Sequence, residues 1–156
     1  MDIDKILEGL NFKNNISDIS SGSFQLANLN ELERTLIEAY EPYNVLIVYG
    51  TLAPNAPNHH IVEHIKGDWH EGIVRGVLLK EGWGAEEGYW GFKHTNIEEK
   101  KEKIPAFVLF SDELPTNWTD IDEFEGDEYK RLLAVYELKN GYIGVGNIYA
   151  IHENVS

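Results

Sequence analysis

The sequence predicts an α+β fold: a small mixed β-barrel-like sheet flanked by helices, with an N-terminal helical extension. Three observations carry this. Short apolar runs recur from Tyr43 to Ile151 without the strict strand–helix alternation of a doubly wound parallel sheet. Glycines at Gly72, Gly76, Gly144 and Gly146 sit inside those runs, where they permit sharply curved strands. Asn140-Gly141 joins the last two runs and is a strong two-residue hairpin signal. With 156 residues the chain is the size of one globular domain and can bury a core without staples.

Two parts are expected, residues 1–42 as a helical extension and 43–156 as the main domain. The extension holds two amphipathic patterns separated by a Ser/Gly-rich loop from Asn14 to Ser23. In the second, Asn30 can cap, Glu33 completes a capping box, and Leu32, Leu36, Ile37 and Tyr40 form an apolar stripe. The main domain opens with Val45–Tyr49, a continuous apolar run of the kind that forms a strand buried on both faces. Further strands are expected at Ile73–Leu79, Ala106–Phe110, Leu132–Leu138 and Tyr142–Ile151. Helices are expected around Asn58–Ile65 and Trp118–Glu125.

Composition removes several function classes. The formal net charge of −14 repels phosphate backbones and anionic lipid, so neither nucleic acid nor membrane is an expected partner. Zero cysteines exclude a disulfide framework, Cys-ligated metal and thiolate catalysis. No apolar run approaches the ~20 residues of a membrane span, and the acidic start Met1-Asp2-Ile3-Asp4 is unlike a signal peptide. A cytoplasmic location is the expectation. His60 and His64, spaced i, i+4, invite a metal reading, but the His-Glu-x-x-His pattern is absent and exposed or capping histidines explain them. No metal and no cofactor are expected.

One carboxylate stands out. Trp118, Ile121 and Phe124 recur at helical spacing before Gly126, a natural helix stop. On that wheel Glu125 projects from the apolar side, between Trp118 and Ile121. Asp120 and Glu123 fall opposite, and Asp122 on the flank. A half-buried carboxylate near Asp122, Asp127 and Glu128 should hold its proton more tightly than usual. Such a group can take and return a proton near neutral pH. Asp122→Asn and Glu123→Gln are accordingly expected to be far milder than Glu125→Gln. A second feature, Tyr49-Gly50-Thr51-Leu52, follows the buried strand, where a glycine lets the backbone turn sharply and bring N–H groups close to a ligand.

Taken in order, these stretches resemble the gamma-glutamylcyclotransferase-like superfamily. Its pattern is an apolar strand, a Tyr-Gly-(Ser/Thr)-Leu loop, a Gly-x-Leu strand, Leu-Asp-x-x-Glu-Gly, Tyr-x-Arg and a strand hairpin. Here the counterparts are Val45–Leu52, Gly76-Val77-Leu78, Ile121–Gly126 and Tyr129-Lys130-Arg131, and the likeness spans Tyr43 to Ile151. Asn58-His59-His60 and Glu81-Gly82-Trp83-Gly84 also look like the bacterial branch. The sequence departs at Asn55, where a glycine is frequent, and at Gly88-Tyr89-Trp90-Gly91, where tryptophan replaces a proline. Both bear on the substrate more than on the reaction.

The resemblance implies Glu125 as the catalytic acid/base and Tyr49, Gly50, Thr51 and Leu52 as the residues that hold a small γ-glutamyl substrate. The reaction implied is intramolecular, the substrate's own α-amine attacking its γ-glutamyl carbonyl to release 5-oxoproline. No cofactor is needed, because the nucleophile arrives with the substrate. The alternative from another class is a non-catalytic binding or interaction module on the same fold. A half-buried Glu125, which an inactive module would gain nothing by keeping, favours the enzyme. A further alternative keeps the mechanism with a γ-glutamylated polyamine, an ε-(γ-glutamyl)-lysine or an acylated secondary metabolite as substrate.

Overall fold

The structure, a computed structural model, describes residues 3–13, 29–79, 91–93, 98–126 and 129–151. Six strands form one sheet: β1 (Val45–Val48), β2 (Asp68–Leu79), β3 (Gly91–Lys93), β4 (Glu102–Phe110), β5 (Tyr129–Leu138) and β6 (Ile143–Ile151). Antiparallel pairing runs β1–β4–β2–β5–β6, and β6 returns to β1 in parallel through Leu46↔Asn147 and Ile47↔Ile148. That return closes a five-stranded mixed barrel. The short β3 lies antiparallel to β2 and parallel to β6, meeting the latter at Phe92↔Ala150. The expected α+β barrel with flanking helices is the fold observed.

Strand alternation sorts the core into layers. Val45, Ile47, Val74, Phe92, Val108, Ala134, Tyr136 and Ile148 point into the barrel. Outside it, Leu46, Val48, Leu109 and Tyr149 meet Trp118 and Ile121. The remaining outer face, Leu133 and Val145, is covered by Leu7, Leu10, Leu36 and Ile37 of the N-terminal helices. β1 is buried on both faces because one set of its side chains fills the barrel and the other packs under a helix. Gly76 lets β3 approach: a Cβ there would sit 2.9 Å from the Lys93 carbonyl oxygen and would also meet the Phe92 ring.

Among the described residues the α-helices are α1 (Ile3–Lys13), α2 (Glu31–Tyr40) and α3 (Trp118–Glu125). In α2 the capping box is complete. The Asn30 side chain accepts from the Glu33 N–H at 2.8 Å, and the Asn30 N–H donates to the Glu33 carboxylate at 2.9 Å. α3 ends at Gly126, whose φ of 76° is left-handed, so conformation rather than space calls for glycine. Among the described residues no helix is long and apolar enough to cross a membrane.

The structure differs from expectation in several places, and β4 and β5 start earlier than expected, at Glu102 and Tyr129. Residues 58–65 do not form a helix but a single 3₁₀ turn, His59–Ile61. Two prolines precede it, and the Asn58 N–H bonds back to the Thr51 carbonyl at 2.9 Å, so the segment folds onto the preceding loop. His60 and His64 therefore share no helix face. β2 starts five residues before the expected Ile73, because its exposed end pairs with β4 from Asp68↔Phe110 onward. β3, at three residues, is too short for periodicity to reveal. The loop expected at 14–23, Glu81–Gly84 and Gly88–Trp90 lie outside the described residues.

Candidate active site around Glu125

α3 presents the surface that the wheel predicts. Trp118 and Ile121 are buried, Asp120 and Glu123 are exposed, and Glu125 is only 8% exposed. Burial, and secondarily the Asp122 carboxylate, push the Glu125 carboxyl up to about 7. Both causes favour the protonated form, so near neutrality the group is divided between acid and base. Asp127 and Glu128, the other expected neighbours, lie outside the described residues.

Glu125 lies close enough to the Tyr49 and Tyr149 phenols for its charge to disfavour their ionisation. Burial is the larger cause at both, and both phenols are held well above their ordinary value. Tyr49, at the end of β1, accepts from the Phe92 N–H at 2.8 Å and donates to the Tyr149 carbonyl at 2.6 Å. Its hydroxyl thus ties β1 to β3 and β6. What Tyr49 can offer a ligand is chiefly its half-buried ring.

Gly50, Thr51 and Leu52 continue from Tyr49 as a tight turn closed by Ala53 N–H to Gly50 carbonyl at 3.1 Å. Leu52 is anchored twice, its side chain in the layer under α3 and its carbonyl 2.8 Å from His59 Nδ1. That contact fixes the proton on Nδ1, since a carbonyl can only accept. The His59 ring packs edge-on against Trp69. Among the described residues, no hydrogen bond uses the N–H groups of Gly50, Thr51 or Leu52. These three donors can receive an oxyanion or a carboxylate.

Left-handed backbone, which a sharp turn at glycine suggests for Gly50, occurs instead at Asn55, with φ of 69°. Asparagine tolerates that conformation better than most side-chain-bearing residues. Asn55 therefore makes this left-handed turn without a glycine.

Sequence reasoning missed part of the site wall. Asp122 is no bystander on the flank of α3. It accepts the Tyr149 hydroxyl at 2.6 Å and pairs with Arg131 Nη2 at 3.1 Å. Arg131 is 4% exposed, and its guanidinium carbon lies 4.4 Å from the centroid of the Trp118 ring. A signal was available, since an arginine at an outward position of an apolar strand must find a charge or an aromatic face. The expectation that Asp122→Asn is mild is therefore withdrawn. Glu123 remains an exposed control. Among the described residues, no group of three His, Asp or Glu side chains converges as a metal site would require.

No family model matches the chain, and no curated protein matches it. Solved structures do. The Bacillus subtilis protein YkqA is 24% identical over 70% of this chain with a TM-score of 0.54, and the match spans 36% of YkqA. This chain therefore corresponds to about a third of that protein's length. An AIG2-like protein from Mus musculus is 18% identical over 72% of this chain and 79% of its own, with a TM-score of 0.49. The likeness is one of fold.

Proposed function

We propose that the protein is a γ-glutamyl cyclotransferase, releasing 5-oxoproline and a free amine, with Glu125 as its acid/base. The observation that carries this reading is a buried carboxyl poised near pH 7, in electrostatic reach of Tyr49, from which continues a turn with three N–H donors unused among the described residues.

The chemistry asks little else of the protein. The substrate's α-nitrogen and γ-carbonyl must be folded together, and holding reacting groups in place is worth up to ~10 kcal/mol. Glu125 as carboxylate takes a proton from the α-ammonium. The amine then attacks the γ-carbonyl carbon, forming the ring C–N bond, and the tetrahedral oxyanion is met by N–H donors of Gly50–Leu52. Collapse breaks the original amide C–N bond, and Glu125 returns the proton to the departing nitrogen. Over the cycle the α-nitrogen sheds two protons and the departing nitrogen gains two, so Glu125 ends as it began. Proton transfer by one positioned group accounts for roughly 10²–10⁴-fold of the rate.

The Thr51 hydroxyl and the half-buried Tyr49 ring complete the wall around the glutamyl portion, while Leu52 contributes its backbone. Incubation with a panel of γ-glutamyl amino acids, γ-glutamyl amines and ε-(γ-glutamyl)-lysine, reading 5-oxoproline, tests the proposal. Release from at least one compound, abolished by Glu125→Gln, is expected. No release from any of them would leave a non-catalytic module on this fold as the better reading.

A further inference from the structure

Proton transfer by Glu125 does not require the charged pair buried beside it. Arg131 stands on the outer face of β5, opposite Tyr149 in the β5–β6 register. Its platform is fixed, because the Trp118 indole N–H donates to the Tyr43 carbonyl at 3.0 Å. Asp122 is held at both oxygens, one by Tyr149 and the other by Arg131. The arrangement is costly: Arg131 Nε and Nη1 are buried without a hydrogen-bond partner among the described residues. A methionine or leucine packed on Trp118 would fill the same space without that cost. What the pair adds lies one helical turn along, since Asp122 and Glu125 are three residues apart and share a surface of α3.

We propose that Arg131 is a positioning residue for Glu125: clamped between Trp118 and Asp122, it anchors and neutralises the carboxylate that faces Glu125. The proposal rests on the reading of Glu125 as the proton carrier. Among the described residues, the titratable groups linked to Glu125 are Asp122 on its own helix, Tyr49 at the end of β1 and Tyr149 on β6, with Tyr129 of β5 beside Tyr49 and Arg131 of β5 paired to Asp122. Tyrosine phenols carry no charge near neutral pH, and burial presses Tyr49 and Tyr149 further that way. Among the described residues, Asp122 and Arg131 are therefore the charged groups that act on Glu125, after burial itself. Left unpaired, Asp122 would present a full negative charge to Glu125 and hold its proton beyond the working range. Paired, its charge is offset by the guanidinium and only part of its push on Glu125 remains.

The test is a carbon-13 titration of the glutamate carboxyl signals in the substrate-free protein, with the Glu125 signal assigned by its loss in Glu125→Gln. Arg131→Met should move the Glu125 midpoint up by about one pH unit, the low end of the effect of a nearby like charge. Arg131→Lys keeps the charge and should hold the midpoint close to wild type, and it serves as the folded comparison. Asp122→Asn should move it down. Adding Arg131→Met to Asp122→Asn should move it less than half as far as Arg131→Met alone, because no carboxylate is left to neutralise. An equal shift in both backgrounds, or none in either, overturns the proposal. Because no substrate is present, a silent substrate panel would overturn the proposed reaction while leaving this result standing.

Discussion

The barrel is covered on two outer faces, and the two are built on different terms. On the N-terminal side, α1 and α2 press Leu7, Leu10, Leu36 and Ile37 onto Leu133 and Val145. Two polar side chains there are well paired, while Asn147 Oδ1, opposite Leu133 in the β5–β6 register, has no hydrogen-bond partner among the described residues. Asn11 exchanges two hydrogen bonds with the Leu133 backbone, at 3.0 and 3.1 Å, and Glu33 closes the α2 capping box. On the α3 side the same strand β5 offers Arg131, with two nitrogens unpartnered among the described residues, and the helix offers Asp122 and Glu125. Two positions along β5 thus separate a leucine packed for stability from an arginine buried at a cost. Packing alone explains the first face. The second carries charge that stability does not ask for, which is what a site that moves protons needs.

Substitutions on the two faces should separate cleanly. The largest effect expected is at Glu125. Glu125→Gln should lower turnover by at least ~10²-fold, with the fold intact. The folded protein holds the Glu125 proton up to about 7, against about 4.5 for an ordinary glutamate. The wild type therefore loses stability as pH rises through that window, and the glutamine variant does not. Above pH 8 the variant should be more stable, by on the order of 3 kcal/mol, and chemical denaturation at pH 4 and pH 8 would show the gap opening only at the higher pH.

On the other face the signs reverse. Leu10→Ala should cost about 2–5 kcal/mol of stability and leave the pH dependence of turnover where it was, as urea unfolding and a pH–rate profile would show. Asn11→Leu should cost about 1–3 kcal/mol by stranding the Leu133 N–H and carbonyl, again without touching the profile. Smallest is Thr51→Ala, expected to raise KM by the worth of one hydrogen bond, about 0.5–1.5 kcal/mol, with kcat little changed. A pH–rate profile that moved in Leu10→Ala, or stayed put in Arg131→Met, would erase the contrast between the faces.

The sequence exposed what is local. Helical spacing put Glu125 among Trp118 and Ile121, Gly126 marked where α3 stops, and Asn30 with Glu33 marked where α2 starts. Each depends on residues within one or two turns of one another. Hidden were the contacts that the barrel brings together across the chain. Tyr49 reads as a ligand-facing ring, yet its hydroxyl joins Phe92 and Tyr149, which are 43 and 100 residues away. Asp122 looks like surface charge until β5 brings Arg131 beneath it and β6 brings Tyr149. His60 and His64 fit a helix, but the Asn58 N–H bonds back to Thr51 and the segment makes a single 3₁₀ turn.

The central claim is that one buried carboxyl carries the proton. Its most direct test is kcat/KM for 5-oxoproline release as a function of pH, which reports ionisations of the free enzyme. Beside it stands the Glu125 carboxyl midpoint read by carbon-13 titration. The account predicts an acidic limb in the rate with the same midpoint as the carboxyl, about 7, and no such limb in the residual activity of Glu125→Gln. A carboxyl that titrates in the ordinary glutamate range, or a rate indifferent to pH across it, would contradict the account.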